Sequence, residues 1–148
     1  MNFAEALTVK LGSVERPKLP PVGSYDFQIT KQPVMVTRGD FDVVDIQCQA
    51  VEATAEVDAD ELAAFGIQNV QARVSFLFSK IDQTAFDKTM FQLQTFLVEH
   101  VGLPAGTSIK EGLAACVHQR FRASTRITND KTNPEVQYFN IDRTAPIK

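Results

Sequence analysis

Five stretches of this chain alternate polar and apolar residues with a period of two, and one long stretch, TAFDKTMFQLQTFLVEHVG, switches to a period near 3.6. Side chains alternate across a strand and recur every three or four residues along a helix, so the pattern restricts the chain to a mainly β domain with one dominant helix. Its 148 residues match one ordinary domain, and a domain of that size buries about 70% of the surface its unfolded chain exposes. No disulfide or metal staple is needed. Cys48 and Cys116 lie far apart and outside any metal-binding or redox spacing, so both read as small buried hydrophobes, with no cofactor and no metal expected.

The first strand spans Ser24 to Thr30, with Tyr25, Phe27 and Ile29 on one face. After Pro33, VMV leads through a turn at Thr37-Arg38-Gly39-Asp40 into the long strand FDVVDIQCQAV, and the pair reads as a hairpin. In that long strand the apolar phase slips by one residue at Val43-Val44, which predicts a β-bulge there. The third strand places Ala72, Val74, Phe76 and Phe78 inward and Arg73, Ser75 and Leu77 outward. A fourth follows in QRFRASTRIT, and a fifth in Val136 to Arg143, across the turn-rich loop TNDKTNPE.

Between these strands, Asp58 with Glu61 caps a short helix that Gly66 ends, and Thr84 with Asp87 is expected to cap the long one. Phe86, Met90, Leu93, Leu97 and Val101 make the buried stripe of the long helix, which leaves Phe91, Phe96 and Val98 as surplus apolar residues for a subunit contact. Ser108 with Glu111 opens a further short helix. Upstream, three prolines in VERPKLPPVG preclude a helix or central strand, so residues 1–22 are expected to form an extended arm and residues 23–148 the domain. The opening MNFAEALTVK carries Glu5 and no continuous apolar run, and no stretch approaches a membrane span. The expectation is a cytoplasmic protein with no membrane partner.

Charge is segregated along the chain. Eight acids and no base fall between Gly39 and Ala64, whereas from Gln119 to Lys148 there are six bases against three acids. In QRFRASTRIT, Arg120, Arg122 and Arg126 share a strand face with Ser124 and Thr128, while Phe121, Ala123, Thr125 and Ile127 take the other. One face is built for a core and the other for anions.

Five principal strands with helices between the third and fourth is the element order of an oligonucleotide-binding barrel, the OB-fold. The expected fold is therefore α+β and mainly β: a five-stranded OB-like barrel with a long and a short helix between strands 3 and 4. With GSYDFQI, the acidic DFDVVDIQC, a helix ending HVGLP, and the tail RFRASTRIT…VQYFNIDRTAPI, the region from Gly23 to Ile147 resembles phage-encoded single-stranded-DNA-binding proteins of replication and recombination modules. It departs from the bacterial single-strand-binding proteins in ending RTAPIK, without their acidic partner-binding tail. The resemblance implies single-stranded DNA as partner, bound with low sequence specificity, in phage replication or recombination in a host cytoplasm. It also leaves room for a homo-oligomer and for replication or recombination proteins as partners.

Single-strand binders combine cations that follow the phosphates with aromatic rings on which bases stack. Arg120, Arg122 and Arg126 supply cations, and Tyr138 falls on their face if the last two strands pair as a hairpin. Arg73 on the third strand and Arg38 in the first hairpin extend the track. The competing reading is a solvated face whose arginines answer the acidic second strand. Two other function classes remain: a structural or assembly protein such as a virion component, and a metal-dependent nuclease using Asp40, Asp42 and Asp45. No Walker A loop, GxSxG or HExxH is present, and His100 at a helix C-terminus reads as a cap, so no enzymatic activity is expected.

Overall fold

The computed structural model describes residues 2–8 and 18–147. Its architecture is α+β, dominated by a six-stranded antiparallel sheet. The strands are β1 (Ser24–Ile29), β2 (Val34–Arg38), β3 (Phe41–Ala53), β4 (Gln71–Ser79), β5 (Arg120–Asn129) and β6 (Gln137–Ala145). The helices are α1 (Phe3–Ala6), α2 (Ala59–Phe65), α3 (Gln83–Thr95) and α4 (Ile109–Ala115). A 3₁₀ turn, Ile67–Asn69, leads into β4, and a π-helical turn, Phe96–His100, extends α3. Within the expected N-terminal arm, residues 3–6 form one helical turn instead of extended chain, while residues 9–17 lie outside the described residues. No helix is long and apolar enough to cross a membrane among the described residues.

Length lets β3 serve three neighbours. Its first part, Phe41 to Asp45, pairs with β2, and its last part, Cys48 to Ala53, pairs with β1. Along the opposite edge it pairs with β4 from Phe41↔Ser79 to Gln49↔Gln71. β1 pairs in turn with β5, and β5 with β6. β4 and β6 run side by side with Cα atoms within 8 Å, but no ladder joins them among the described residues. The ladders thus run from β4 through β3, β1 and β5 to β6, and among the described residues the facing edges of β4 and β6, which leave an open seam, and the outer edge of β2 carry no ladder.

The sixth strand is β2, the VMV arm of the expected hairpin, which the five-strand reading did not count among the principal strands. Gly39, at φ +59°, takes the left-handed conformation that its two-residue hairpin loop requires. The bulge expected at Val43-Val44 is absent, since neither the β2–β3 nor the β3–β4 ladder shifts there. Val43 is instead buried on the outer face, where Val36 and Leu77 stand directly opposite it, so apolar residues face both ways on a strand flanked on both edges. The real bulges lie elsewhere. Phe27↔Ala50 and Asp26↔Glu52 leave Val51 extra in β3, and Ser124↔Arg143 and Thr125↔Ile141 leave Asp142 extra in β6.

Inside, Tyr25, Phe27 and Ile29 meet Phe121 and Ala123 from β5, Ile46 and Cys48 from β3, and Phe76 and Phe78 from β4. Helix α3 closes this core. Its N-cap is Asp82, whose carboxylate accepts from the Ala85 amide at 3.2 Å, two residues before the expected Thr84. At its other end a π-turn follows, closed by the Val101 amide donating to the Phe96 carbonyl, while the Phe96 amide itself still donates to the Gln92 carbonyl of the regular helix. Phe96 is only 1% exposed, edge-on to Phe121 at 5.0 Å and tilted against Phe76 at 5.6 Å, so it is core and not a subunit contact. The caps at Asp58 and Ser108 form as expected, accepting from the Glu61 and Glu111 amides.

Candidate nucleic-acid interface

The open seam makes a surface with the attributes of a ligand groove. One groove, about 690 Å³, is lined by Gln47, Gln49, Gln71 and Arg73 from β3 and β4 and by Gln137, Tyr138 and Asn140 from β6, with Lys31 at its border. A second, about 540 Å³, runs on between β4, β6 and α3, lined by Arg73, Phe91, His100, Asp142 and Arg143 among others. Arg73 belongs to both. His100 ties the helix to the sheet here, its Nδ1 lying 2.7 Å from the Thr144 hydroxyl.

Tyr138 reaches this groove through local chemistry at the β5–β6 loop. Asp130 accepts from the Thr132 amide and hydroxyl, both at 2.8 Å, and from the Asn133 amide at 3.1 Å, which folds the loop back on itself. The Tyr138 hydroxyl donates to the other carboxylate oxygen at 2.8 Å. The ring is thereby pinned at its tip while its faces stay open, with Tyr138 46% exposed. Thr128 stands directly opposite Tyr138 and Arg126 opposite Asn140, which puts both β6 residues on the arginine face. Phe139, one position on, packs its ring edge-to-face on Tyr25 at 6.4 Å.

Donation from the Thr132 hydroxyl, then from Tyr138 and the two backbone amides, holds the Asp130 carboxyl far below the usual carboxylate range. The same bond and the Asp130 charge raise the Tyr138 phenol. Because the folded value of Asp130 is depressed, its contribution to the loop is complete above the unfolded value of about 3.9 and is lost as pH falls from there through the folded value. In an acid titration followed by carboxylate chemical shifts, Asp130 should stay ionised at a pH where a peptide aspartate is half protonated. A midpoint at the ordinary value would show that the loop does not hold it.

The expected cations separate into two groups. Arg122 forks onto Asp26, Nε to Oδ1 at 2.8 Å and Nη2 to Oδ2 at 3.4 Å, and Asp26 is buried. That hydrogen bond, then the charges of Asp26, Glu52 and Glu56, raise its guanidinium above the ordinary value. Arg122 is therefore committed within an acidic surrounding. Arg38 donates to Asp45 at 3.1 Å, and Asp45 also accepts from Ser75. Arg126 lies 3.6 Å from Asp142 with both side chains well exposed, a pairing that holds it only weakly. Arg73, Arg120 and Arg143 have no carboxylate within 4.0 Å among the described residues.

Of the residues singled out from the sequence, Arg73 and Tyr138 meet in the groove. Arg38, Arg120, Arg122 and Arg126 line neither groove, although Arg126 stands opposite Asn140 and beside Asp142, which do. Parity would have placed Gln47, Gln49, Gln71 and Asn140 outward, but nothing in the sequence marks an outward amide as a ligand group. Phe91, 66% exposed at the lip of the second groove, was legible only as surplus on a helix. The three aspartates of the nuclease reading do not converge. Asp42 and Asp45 point to opposite faces of β3, and no group of three His, Cys, Asp or Glu is placed to hold a metal among the described residues.

No protein family matches this chain. No curated protein matches it either.

Proposed function

We propose that the protein binds single-stranded DNA with little sequence preference, without hydrolysing it, along the seam between β4 and β6. The observation that carries this reading is the position of Arg73, where two grooves meet, with Tyr138 along one and Phe91 at the lip of the other. Phosphates follow Arg73, Arg143 and the loosely held Arg126, while bases stack on the two exposed rings. The amides Gln47, Gln49, Gln71 and Asn140 offer donors and acceptors that suit any base, which fits low specificity.

The ladder order also fits an OB-type barrel. With β2 set aside as an insertion, β1 lies between β3 and β5, β4 follows β3 and β6 follows β5, which is the strand order of such a barrel with β4 and β6 as the two strands left to close it. The pinned β5–β6 loop is one of the two loops that bind ligand in that fold. Replication or recombination in a phage, within a host cytoplasm, is the setting that the resemblance of the sequence implies.

Fluorescence anisotropy of labelled oligo-dT over a salt series tests this reading. Three phosphate contacts give a log–log slope of about −2, at about −0.7 per contact. Arg73→Ala should lower the slope by about 0.7, whereas Arg122→Ala, whose guanidinium belongs to Asp26, should leave it unchanged. Affinity that is independent of salt, or a slope that responds to Arg122 and not to Arg73, would refute the assignment.

A second reading, an assembly protein such as a virion component acting through protein contacts, is favoured by the exposed apolar side chains of Val34, Met35, Phe41, Leu77 and Ile81 around β2. Failure to bind any oligonucleotide would leave that reading in place.

A further inference from the structure

Two of the amides in the first groove are tied by their nitrogens. Gln49 turns its Nε2 toward three backbone carbonyls, donating to Ile67 at 2.9 Å and lying 3.2 Å from those of Ala50 and Val70. A carbonyl can only accept, so the amide nitrogen faces these three and the oxygen faces away. Among the described residues no buried side-chain oxygen or nitrogen lacks a partner, and Gln49 Oε1 accepts from no protein group. That oxygen is therefore open to solvent in the groove that Gln49 lines. Across the seam Asn140 Nδ2 donates to the Thr128 hydroxyl at 2.8 Å, which leaves Oδ1 of an exposed side chain as the free atom on the same groove. Gln47 and Gln71, also exposed there, carry no such tie among the described residues.

The groove is thus weighted toward acceptors that are already in place. A tied amide costs little to order when a base arrives, whereas Gln47 and Gln71 must give up rotamer freedom before they can donate. The exocyclic amino group of cytosine, adenine or guanine offers two N–H donors to such acceptors. Thymine and uracil offer one ring N–H, set between two carbonyl oxygens that a fixed acceptor repels. We propose that Gln49, assisted by Asn140, selects bases with an exocyclic amino group over thymine and uracil at the position that stacks on Tyr138. This rests on the single-strand reading above and sets a modest bias within it, because phosphate contacts are the same for every base.

Anisotropy titrations with labelled oligo-dC and oligo-dU of equal length test it, since these pyrimidines share ring size and differ in the amino group. The wild-type protein should bind oligo-dC about fivefold more tightly, the scale of one net hydrogen bond. The two salt slopes should coincide, because both strands present the same phosphates. Gln49→Met keeps the length of the side chain and removes the acceptor, and should bring the ratio of the two affinities close to one. The comparison on wild-type protein stands even if that variant fails to fold. Equal affinities with a normal salt slope, or a folded Gln49→Met that keeps the full preference, would overturn the assignment of Gln49 and leave single-strand binding intact. Failure to bind either strand would overturn both.

Discussion

Phe121→Ala is expected to lower the unfolding free energy by about 3–5 kcal/mol, the cost of truncating a buried phenylalanine. Phe121 is 0% exposed, stacked on Phe27 at 6.0 Å and edge-on to Phe96 at 5.0 Å, so the cavity opens between β1, β5 and the π-turn. Neither strand nor helix can collapse into it without losing its own ladder or cap. Chemical denaturation at equilibrium reads the effect directly. A loss under about 1 kcal/mol, within the range of surface substitutions, would mean that the three rings are not the packed centre described above.

Tyr138→Ala is expected to weaken single-stranded DNA binding by roughly 1–3 kcal/mol through lost base stacking, with little effect on folding. Tyr138→Phe should retain most of the stacking while freeing the ring tip from Asp130. That pair separates the ring face, which serves the ligand, from the hydroxyl, which serves the loop. Phe139→Ala, one position on, should act in the opposite way, because its ring packs against Tyr25. Its cost appears chiefly in unfolding, with a smaller loss of binding because Phe139 also borders the first groove. An exchange of the two phenotypes would place β6 in the other register and remove Tyr138 from the groove.

Much of the sheet was legible because alternation survives wherever one face is buried. Tyr25, Phe27, Ile29, Phe121 and Ala123 all sit where parity puts them. The pattern fails where burial comes from both sides. Val43 is covered by Val36 and Leu77, so the slip in apolar phase records two flanking strands and not a bulge. Phe96 was misplaced because the stripe was drawn too narrowly: it stands three residues after Leu93, and the regular helix that still holds its amide carries it into the core beside Leu93.

The site divides along the same line. The shared face of Arg120, Arg122 and Arg126 follows from strand geometry alone, but the availability of each charge depends on a partner remote in sequence. Asp26 lies 96 residues from Arg122, and only the β1–β5 ladder brings them opposite. The groove itself arises from a ladder that does not form between β4 and β6. No local pattern encodes the absence of a pairing.

The most direct test of the central claim is to follow backbone amide shifts of isotope-labelled protein as oligo-dT is added. The account predicts that the largest changes fall on Arg73 and its neighbours in β4, on Gln137 to Asn140 and Arg143 in β6, and on Phe91 in α3. Changes centred on Arg120 and Arg122, or no changes at saturating oligonucleotide, would contradict it.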